Sequence, residues 1–473
     1  MLASSHSHME IQGRRRTVRP KGPPDGGYGW FIVLSTFLVF GLTFGVIKSF
    51  GVFFVEIQHY FATTATASSW ITSITVATIH FGAPVGSALS AYFSPRRVVI
   101  VGGLLSSVGM VAGSHAQNLL QLYITVGFLT GFGYALTWTP TVTMLGWYFE
   151  KRRPVANALA SAGECILTFI LNPSFQFLID QYSWRGAMLI LGALQLNLCL
   201  CGALLRPLDS YDPPKELKGE EKDLEMQFTN DRPESKQHLK TKIIRYVDYT
   251  LIANVRFMVY SMFGVFAALG FFAPSLFLVP YARSKGVEEY QAAALMSISA
   301  ALDLLGRLLF GWVANLHLVE TIHQLLVTVL MLGIVLLLCP LAATFTHLAL
   351  FSAGYGLVFG ATVSIHITVL AEVVGVEKLG SALGFFMLIR SSGGLLGPPL
   401  AGIFIDEMND YSAGFLMAGV ALIVSALFLL LLHHMNRKGK NKESDIPLEN
   451  KTEKVEKCNS EYKKQEELLK QGV

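Results

Sequence analysis

Residues 291–312 read QAAALMSISAALDLLGRLLFGW. About 20 mostly apolar residues in succession are the length a helix needs to cross the hydrocarbon core of a bilayer. Asp303 and Arg307 lie inside this stretch, and their i,i+4 spacing puts them on one helix face, one turn apart. An ionised group near the bilayer centre costs roughly 2.5–3.5 kcal/mol even on insertion scales. Two such groups persist where they face a protein interior or a watery cavity and partner each other. Such a pair marks a transport pathway; its bland alternative is a structural ion pair clamping two helices.

Composition points the same way. The chain has 473 residues, 52% hydrophobic and 15% charged, against about 25% charged in a soluble domain. Mean hydropathy is +0.47. The net charge of +4 sits in loops and tails between apolar blocks and is no nucleic-acid signal. Of five cysteines, Cys165, Cys199, Cys201 and Cys339 fall in apolar stretches and Cys458 in a charged tail, with no zinc or disulfide spacing. No apolar run precedes Trp30, so the first span is expected to serve as its own membrane signal.

Twelve apolar spans are expected, at 30–54, 70–92, 98–114, 120–148, 154–179, 184–205, 257–281, 292–312, 325–343, 348–374, 379–405 and 411–432. The fourth, fifth, tenth and eleventh are rich in Gly, Ala and Pro, which permits close helix packing and local unwinding. Lys and Arg cluster before span one (Arg14, Arg15, Arg16, Arg19, Lys21), after span two (Arg96, Arg97), after span four (Lys151, Arg152, Arg153) and after span twelve (Arg437, Lys438, Lys440, Lys442). The alternate loops are nearly free of both: Glu56–Ser69, Ser114–Asn118 and Asp406–Asp410 carry none. By the positive-inside rule both termini are cytoplasmic, which requires an even number of spans.

The chain therefore divides into a cytoplasmic tail (1–29), a six-helix bundle (30–205), a hydrophilic cytoplasmic loop (206–255), a second six-helix bundle (256–435) and a charged cytoplasmic tail (436–473). Lys240–Ile252 in the loop could form an amphipathic surface helix. The sequon Asn450-Lys451-Thr452 is expected on the cytoplasmic side, hence unused. Arg96-Arg97 after span two are echoed by Gly306-Arg307 through Gly311 and Asn315 at span eight. An all-α membrane protein of two six-helix bundles around a central cytoplasmic loop is the plan of the major facilitator fold. Its substrate site lies between the halves near the midplane.

Lys48 lies in GLTFGVIKSFGVFF, about two-thirds of the way across span one, too deep to snorkel. Lys48, Asp303 and Arg307 form a set of two cations and one anion split between the halves. With Asp303 ionised, Arg307 is paired; with Asp303 protonated, the set carries unbalanced positive charge suited to a small anion. Glycine patterns such as Gly131-Phe132-Gly133 lie inside helices and are packing features, not phosphate loops. Nothing resembling a nucleophile–base set, a metal cluster or a nucleotide motif stands out, so the chain is not expected to be an enzyme.

Asp25-Gly26-Gly27-Tyr28-Gly29-Trp30 resembles the signature that opens the monocarboxylate transporter family, with Tyr28 in place of the usual tryptophan or phenylalanine. Tyr148 through Ala160, YFEKRRPVANALA, resembles the second family signature. Ser183-Trp184-Arg185-Gly186 and Leu396 through Gly402 are similar to family segments too. The likeness covers Pro24 to Leu432 and fails in the loop and tails. It implies proton-linked transport of lactate, pyruvate or ketone bodies across the plasma membrane, with the co-transported proton in place of any cofactor. It further implies Asp303 as the proton-coupling residue, Lys48 and Arg307 as carboxylate-binding residues, and Phe359 as an aromatic that limits substrate size. A single-span immunoglobulin-type glycoprotein is the partner that such carriers often require.

Three residues depart from the lactate-carrying pattern. Glu164 stands where such relatives have a neutral residue, Arg390 where several carry an acid, and His366 near the expected cavity. All three are assigned to specificity or gating, with His366 read first as a hydrogen-bonded helix-face histidine. Glu164 and Arg390 keep one rival open, a proton-independent facilitator of an amino acid derivative, taurine-like solute or aromatic acid; a non-transporting sensor or scaffold, signalling through the long loop and tail, is a second.

Overall fold

The computed structural model describes residues 25–149, 152–206, 251–315, 319–375 and 379–444, and these are overwhelmingly helical. Ten stretches are long and apolar enough to cross a membrane. One of them, Val155–Leu204, is 50 residues long and holds two limbs, because Ser183 leaves helical geometry with φ 59° and ψ 170°. The 29-residue helix Ala65–Phe93 is an eleventh membrane-length helix. With the two limbs counted separately, twelve segments result: α1 (29–60), α2 (Ala65–Phe93), α3 (Pro95–Ser114), α4 (Leu119–Tyr148), α5 (153–182), α6 (184–204), α7 (Val255–Ser284), α8 (Glu289–Asn315), α9 (Thr321–Leu341), α10 (Phe345–Val374), α11 (Leu379–Met408) and α12 (Ser412–Ser444).

Several ends differ from expectation. Segment α1 runs on to Tyr60, so the loop expected at Glu56–Ser69 shrinks to residues 61–64. There Thr64 caps α2, its side chain accepting from Ala67 N at 3.2 Å. Segment α12 continues past Leu432 to Ser444, so the first nine residues of the expected tail, from Asn436, are helical. The surface helix expected at Lys240–Ile252 lies outside the described residues except for its last two positions, and the sequon lies wholly outside them.

The low apolarity of α2 has a packing cause. Ser68, Ser69, Thr72, Ser73 and Thr75 are buried, and α2 packs along α11 of the other half. Thr75 Oγ1 donates to Ile71 O on its own helix at 2.9 Å, which lets a hydroxyl sit in an interior contact. Lipid offers no hydrophobic drive between helices, so small residues that permit close approach hold the bundle together.

The family-like motifs become contacts. Asp25 N donates to Tyr148 O at 3.1 Å, Asp25 Oδ1 accepts from Arg152 N at 3.3 Å, and the Tyr28 and Tyr148 rings lie 6.5 Å apart. Tyr28 Oη also donates to Leu204 O at 2.8 Å, so the two signatures and the end of α6 form one clasp. At Ser183-Trp184-Arg185-Gly186, Trp184 is buried, and Arg185 donates to Ala116 O at 2.6 Å while its guanidinium covers the Tyr60 ring at 4.7 Å. Arg153, of the basic cluster after span four, is tied locally, its Nε donating to Phe149 O at 3.0 Å.

Candidate functional site: a four-membered charge ring between the halves

Lys48 stands near the middle of α1, just after an irregular stretch. Residues Gly41–Gly45 form a π-helical turn, a rare geometry that gathers at functional positions. Gln195 on α6 donates to Leu42 O at 2.9 Å within it. One turn later Lys48 projects toward α5 and α8. On α5, Gly163 precedes Glu164; a Cβ at Gly163 would stand 2.0 Å from Phe37 O, so only glycine lets α1 and α5 approach this closely.

The second half repeats the device. A Cβ on Gly360 of α10 would stand 2.1 Å from Asp303 O, so the two backbones touch beside the acid. This contact seats Asp303 and Arg307 against α10, which also carries Phe359.

The four charged side chains close a ring. Lys48 Nζ lies 2.7 Å from Glu164 Oε1 and 2.9 Å from Asp303 Oδ2. Arg307 Nε donates to Asp303 Oδ1 at 2.8 Å and its Nη2 to Asp303 Oδ2 at 3.1 Å. The same Nη2 donates to Glu164 Oε2 at 3.1 Å. Each carboxylate thus joins both cations, and each half supplies one cation and one anion. Two of the four links, Lys48–Asp303 and Glu164–Arg307, cross between halves. Lys48 Nζ also stands over the Phe359 ring, 4.6 Å from its centroid.

The ring amends the charge count read from sequence. Two cations and one anion were expected; Glu164 makes it two and two, so the ring is neutral with all four groups ionised. Glu164 was set apart as a specificity or gating residue, and it stands among the pairing charges. Such a ring persists in a low-dielectric interior because every charge is bonded to opposite charges on both sides. The side chains of Asp303, Arg307 and Glu164 are 4%, 9% and 11% exposed and that of Lys48 18%, so Lys48 is the most open member of the ring.

The other assigned residues lie nearby but outside the ring. His366 is held on its helix, Nδ1 lying 2.7 Å from Val363 O, and its carbonyl accepts from Tyr260 Oη, in keeping with a hydrogen-bonded helix-face histidine. Arg390 has its guanidinium 5.5 Å from the centroid of the Phe271 ring and makes no link to the ring of charges.

Toward one end of the molecule the halves are sealed. Asp406 on α11 accepts from Ala65 N at 2.8 Å and Thr66 N at 2.9 Å, capping the start of α2 from the opposite half. Tyr411 Oη donates to Gln58 Oε1 at 2.8 Å, and Gln176 Nε2 donates to Glu289 Oε2 at 3.1 Å. Between this seal and the ring, a gap lined by Ile47, Thr72, Val76 and Pro398, among others, measures about 10 Å³, room for about one water. Asp406 was not singled out in the sequence; its signal was a carboxylate in the last turn of an apolar span.

The profile of the Major Facilitator Superfamily matches residues 33–319 and 322–466. Monocarboxylate transporter 2 of Homo sapiens is 37% identical over 416 residues, covering 88% of this chain and 87% of the relative. Monocarboxylate transporter 12 of Xenopus laevis is 38% identical over 436 residues, covering 90% and 93%. Monocarboxylate transporter 13 of Bos taurus is 39% identical over 413 residues, covering 87% and 91%. Among solved structures, an inward-facing, unoccupied bacterial homologue of the human lysosomal transporter Spinster aligns with a TM-score of 0.67 at 16% identity, covering 86% of this chain and 98% of that one. A POT family transporter in complex with 5-aminolevulinic acid aligns at 0.65 with 14% identity, covering 87% and 98%. At those identities the structures speak for the fold alone. With membrane-length helices throughout and relatives that are transporters rather than enzymes, the chain belongs to the Major Facilitator Superfamily and, within it, to the monocarboxylate transporters.

Proposed function

We propose that the protein carries small monocarboxylates, of the lactate, pyruvate and ketone-body class, across the plasma membrane together with a proton. The observation that supports this is the neutral ring. An anion added to it with all four groups ionised would have to displace a carboxylate and bring an uncompensated negative charge into a low-dielectric site. Protonating one carboxylate leaves the ring with one positive charge, which one monocarboxylate balances. The coupling is then one proton to one anion and electroneutral.

Asp303 is the proton carrier in this reading. When it takes the proton, its hold on Arg307 and Lys48 weakens, and the guanidinium fork is free for a substrate carboxylate. The Lys48–Asp303 link between the halves is then replaced by a link through the cargo, so loading and release are coupled to the rocking of one half against the other. Phe359, stacked on Lys48, limits the length of the acid. Both termini are cytoplasmic by the distribution of loop charge, which puts the seal at Asp406 on the outer side. A single-span glycoprotein partner belongs to this reading as well.

Glu164 supports a second reading. A zwitterion brings its own cation and anion, so it could replace one link of each sign in the ring and need no proton. Uptake of radiolabelled lactate and of taurine into oocytes, in mildly acidic and mildly alkaline medium, separates the two. Lactate uptake that rises in acid supports the symporter. Taurine uptake indifferent to pH supports the facilitator, and the absence of both, at normal surface expression, removes both and leaves the sensor or scaffold.

A further inference from the structure

Arg390 has no acidic partner among the described residues. Its Nη1 lies 3.9 Å from Met387 Sδ, and its guanidinium faces the Phe271 ring. A guanidinium stays charged in proteins and carries five N–H donors; a thioether and a ring face use little of that capacity. The two acids of the ring, Glu164 and Asp303, have both oxygens engaged within it. Because the ring is neutral, Arg390 is the surplus charge of the molecular centre.

Two histidines lie on neighbouring helices: His366 on α10 has its ring 6.4 Å from that of Phe386, one turn before Arg390, and His80 is on α2, which packs along α11. Each holds a backbone carbonyl of its own helix through Nδ1, His80 to Val76 O at 2.8 Å and His366 to Val363 O at 2.7 Å. That contact puts the proton on Nδ1 and leaves Nε2 as a lone-pair acceptor. His366 Nε2 is buried with no hydrogen-bond partner. An isolated buried acceptor is costly, and a permanent cation within a membrane without a counter-ion is costlier. The two costs together describe a place prepared for something that is both an anion and a hydrogen-bonding group.

We propose that Arg390, flanked by His80 and His366, is a second carboxylate-binding position of the central cavity, separate from the ring, where an organic acid docks before it opens the ring. The chemical class is a small organic monoanion, its carboxylate on the guanidinium fork and any O–H or N–H donor beside it directed to an imidazole Nε2. The position rests on the carrier reading for its place in transport, but not for binding itself.

The test separates the two. The purified full-length protein is melted with and without benzoate and its neutral isostere benzamide, for wild type, Arg390→Gln and Arg390→Lys, and lactate uptake is measured for the same set. Benzoate should raise the melting temperature of the wild type and benzamide should not. Arg390→Gln should weaken benzoate binding about tenfold or more, the scale of a lost charge-assisted hydrogen bond. Lactate KM should rise in parallel, with the maximal rate within about twofold. Arg390→Lys keeps the charge without the planar fork and should fall between. It is also the variant to rely on if Arg390→Gln fails to fold. No stabilisation of wild type by benzoate, or wild-type benzoate affinity in either variant, overturns the position. Benzoate binding that depends on Arg390 in a protein that moves no lactate upholds the position and removes the monocarboxylate carrier reading.

Discussion

Glu164 and Asp303, from opposite halves of the chain, grip the same two cations, and Lys48 sits 2.7 Å from one and 2.9 Å from the other. The halves therefore meet through a shared ionic contact and not through apolar packing alone, and anything that changes the charge of one member is felt by the other three.

Asp303→Asn should abolish acid-driven net uptake. The amide keeps the shape but can neither release a proton nor hold the guanidinium as an anion. Net flux driven by an inward proton gradient should fall about tenfold or more, given about 1.5–3 kcal/mol for a hydrogen bond to a charged group. Surface-normalised uptake in acidic medium is the measurement, and wild-type rates would rule out Asp303 as the carrier of the proton.

Lys48→Gln leaves two carboxylates facing one guanidinium. Loss of one partner from a buried ion pair costs about 3–5 kcal/mol, so both stability and anion affinity should drop. Lys48→Arg preserves charge with altered geometry and should retain part of the activity. Melting temperature and lactate KM on the same preparations check this; a glutamine variant equal to wild type would make Lys48 a bystander.

Arg307→Ala should lose substrate affinity and the pH dependence of whatever flux remains, because both carboxylates lose their fork. Combined with Asp303→Asn, it should be no worse than Arg307→Ala alone, since partners in one network couple by about 0.5–3 kcal/mol. Arg307→Lys should keep pH dependence better than affinity. Uptake against pH for the four variants is the readout, and additive losses would show that the two residues do not act as a unit.

Asp406→Ala removes three hydrogen bonds to the start of α2, from Ala65 N, Thr66 N and Thr66 Oγ1. A lost cap costs about 0.5–2 kcal/mol, enough to shift the balance between sealed and open forms several-fold. A cysteine introduced by Thr72→Cys, in the small gap beneath the seal, should then react faster with an impermeant maleimide applied from the Asp406 side. An unchanged labelling rate would remove Asp406 from the gate.

Sequence carried the fold and most of the ring for one physical reason: a charge inside an apolar span is conspicuous. Lys48, Asp303 and Arg307 stand out on that ground, and i,i+4 spacing pairs the last two. Glu164 was equally conspicuous, but its partners Lys48 and Arg307 lie 116 and 143 residues away, and no periodicity reports a distance across helices. The seal was invisible for a related reason. Asp406, Gln58 and Tyr411 lie at span ends, where polar residues are ordinary, and only assembly shows that they reach across the halves. The overlong α1 and α12 were missed because helices run past the hydrocarbon edge wherever the chain has no breaker.

The close backbone contacts at Gly163 and Gly360 bear on how inherited changes in this chain should be judged. A reader of variants looks first to Lys48, Glu164, Asp303 and Arg307, where chemistry is evident. Yet Gly360→Ala would force a methyl group to within 2.1 Å of Asp303 O, and Gly163→Ala one to within 2.0 Å of Phe37 O. Neither change alters charge or polarity, and both rank as mild on any scale of amino-acid similarity. In a saturation screen scored by growth on an imported acid, these two silent-looking positions should tolerate as few replacements as the ring itself.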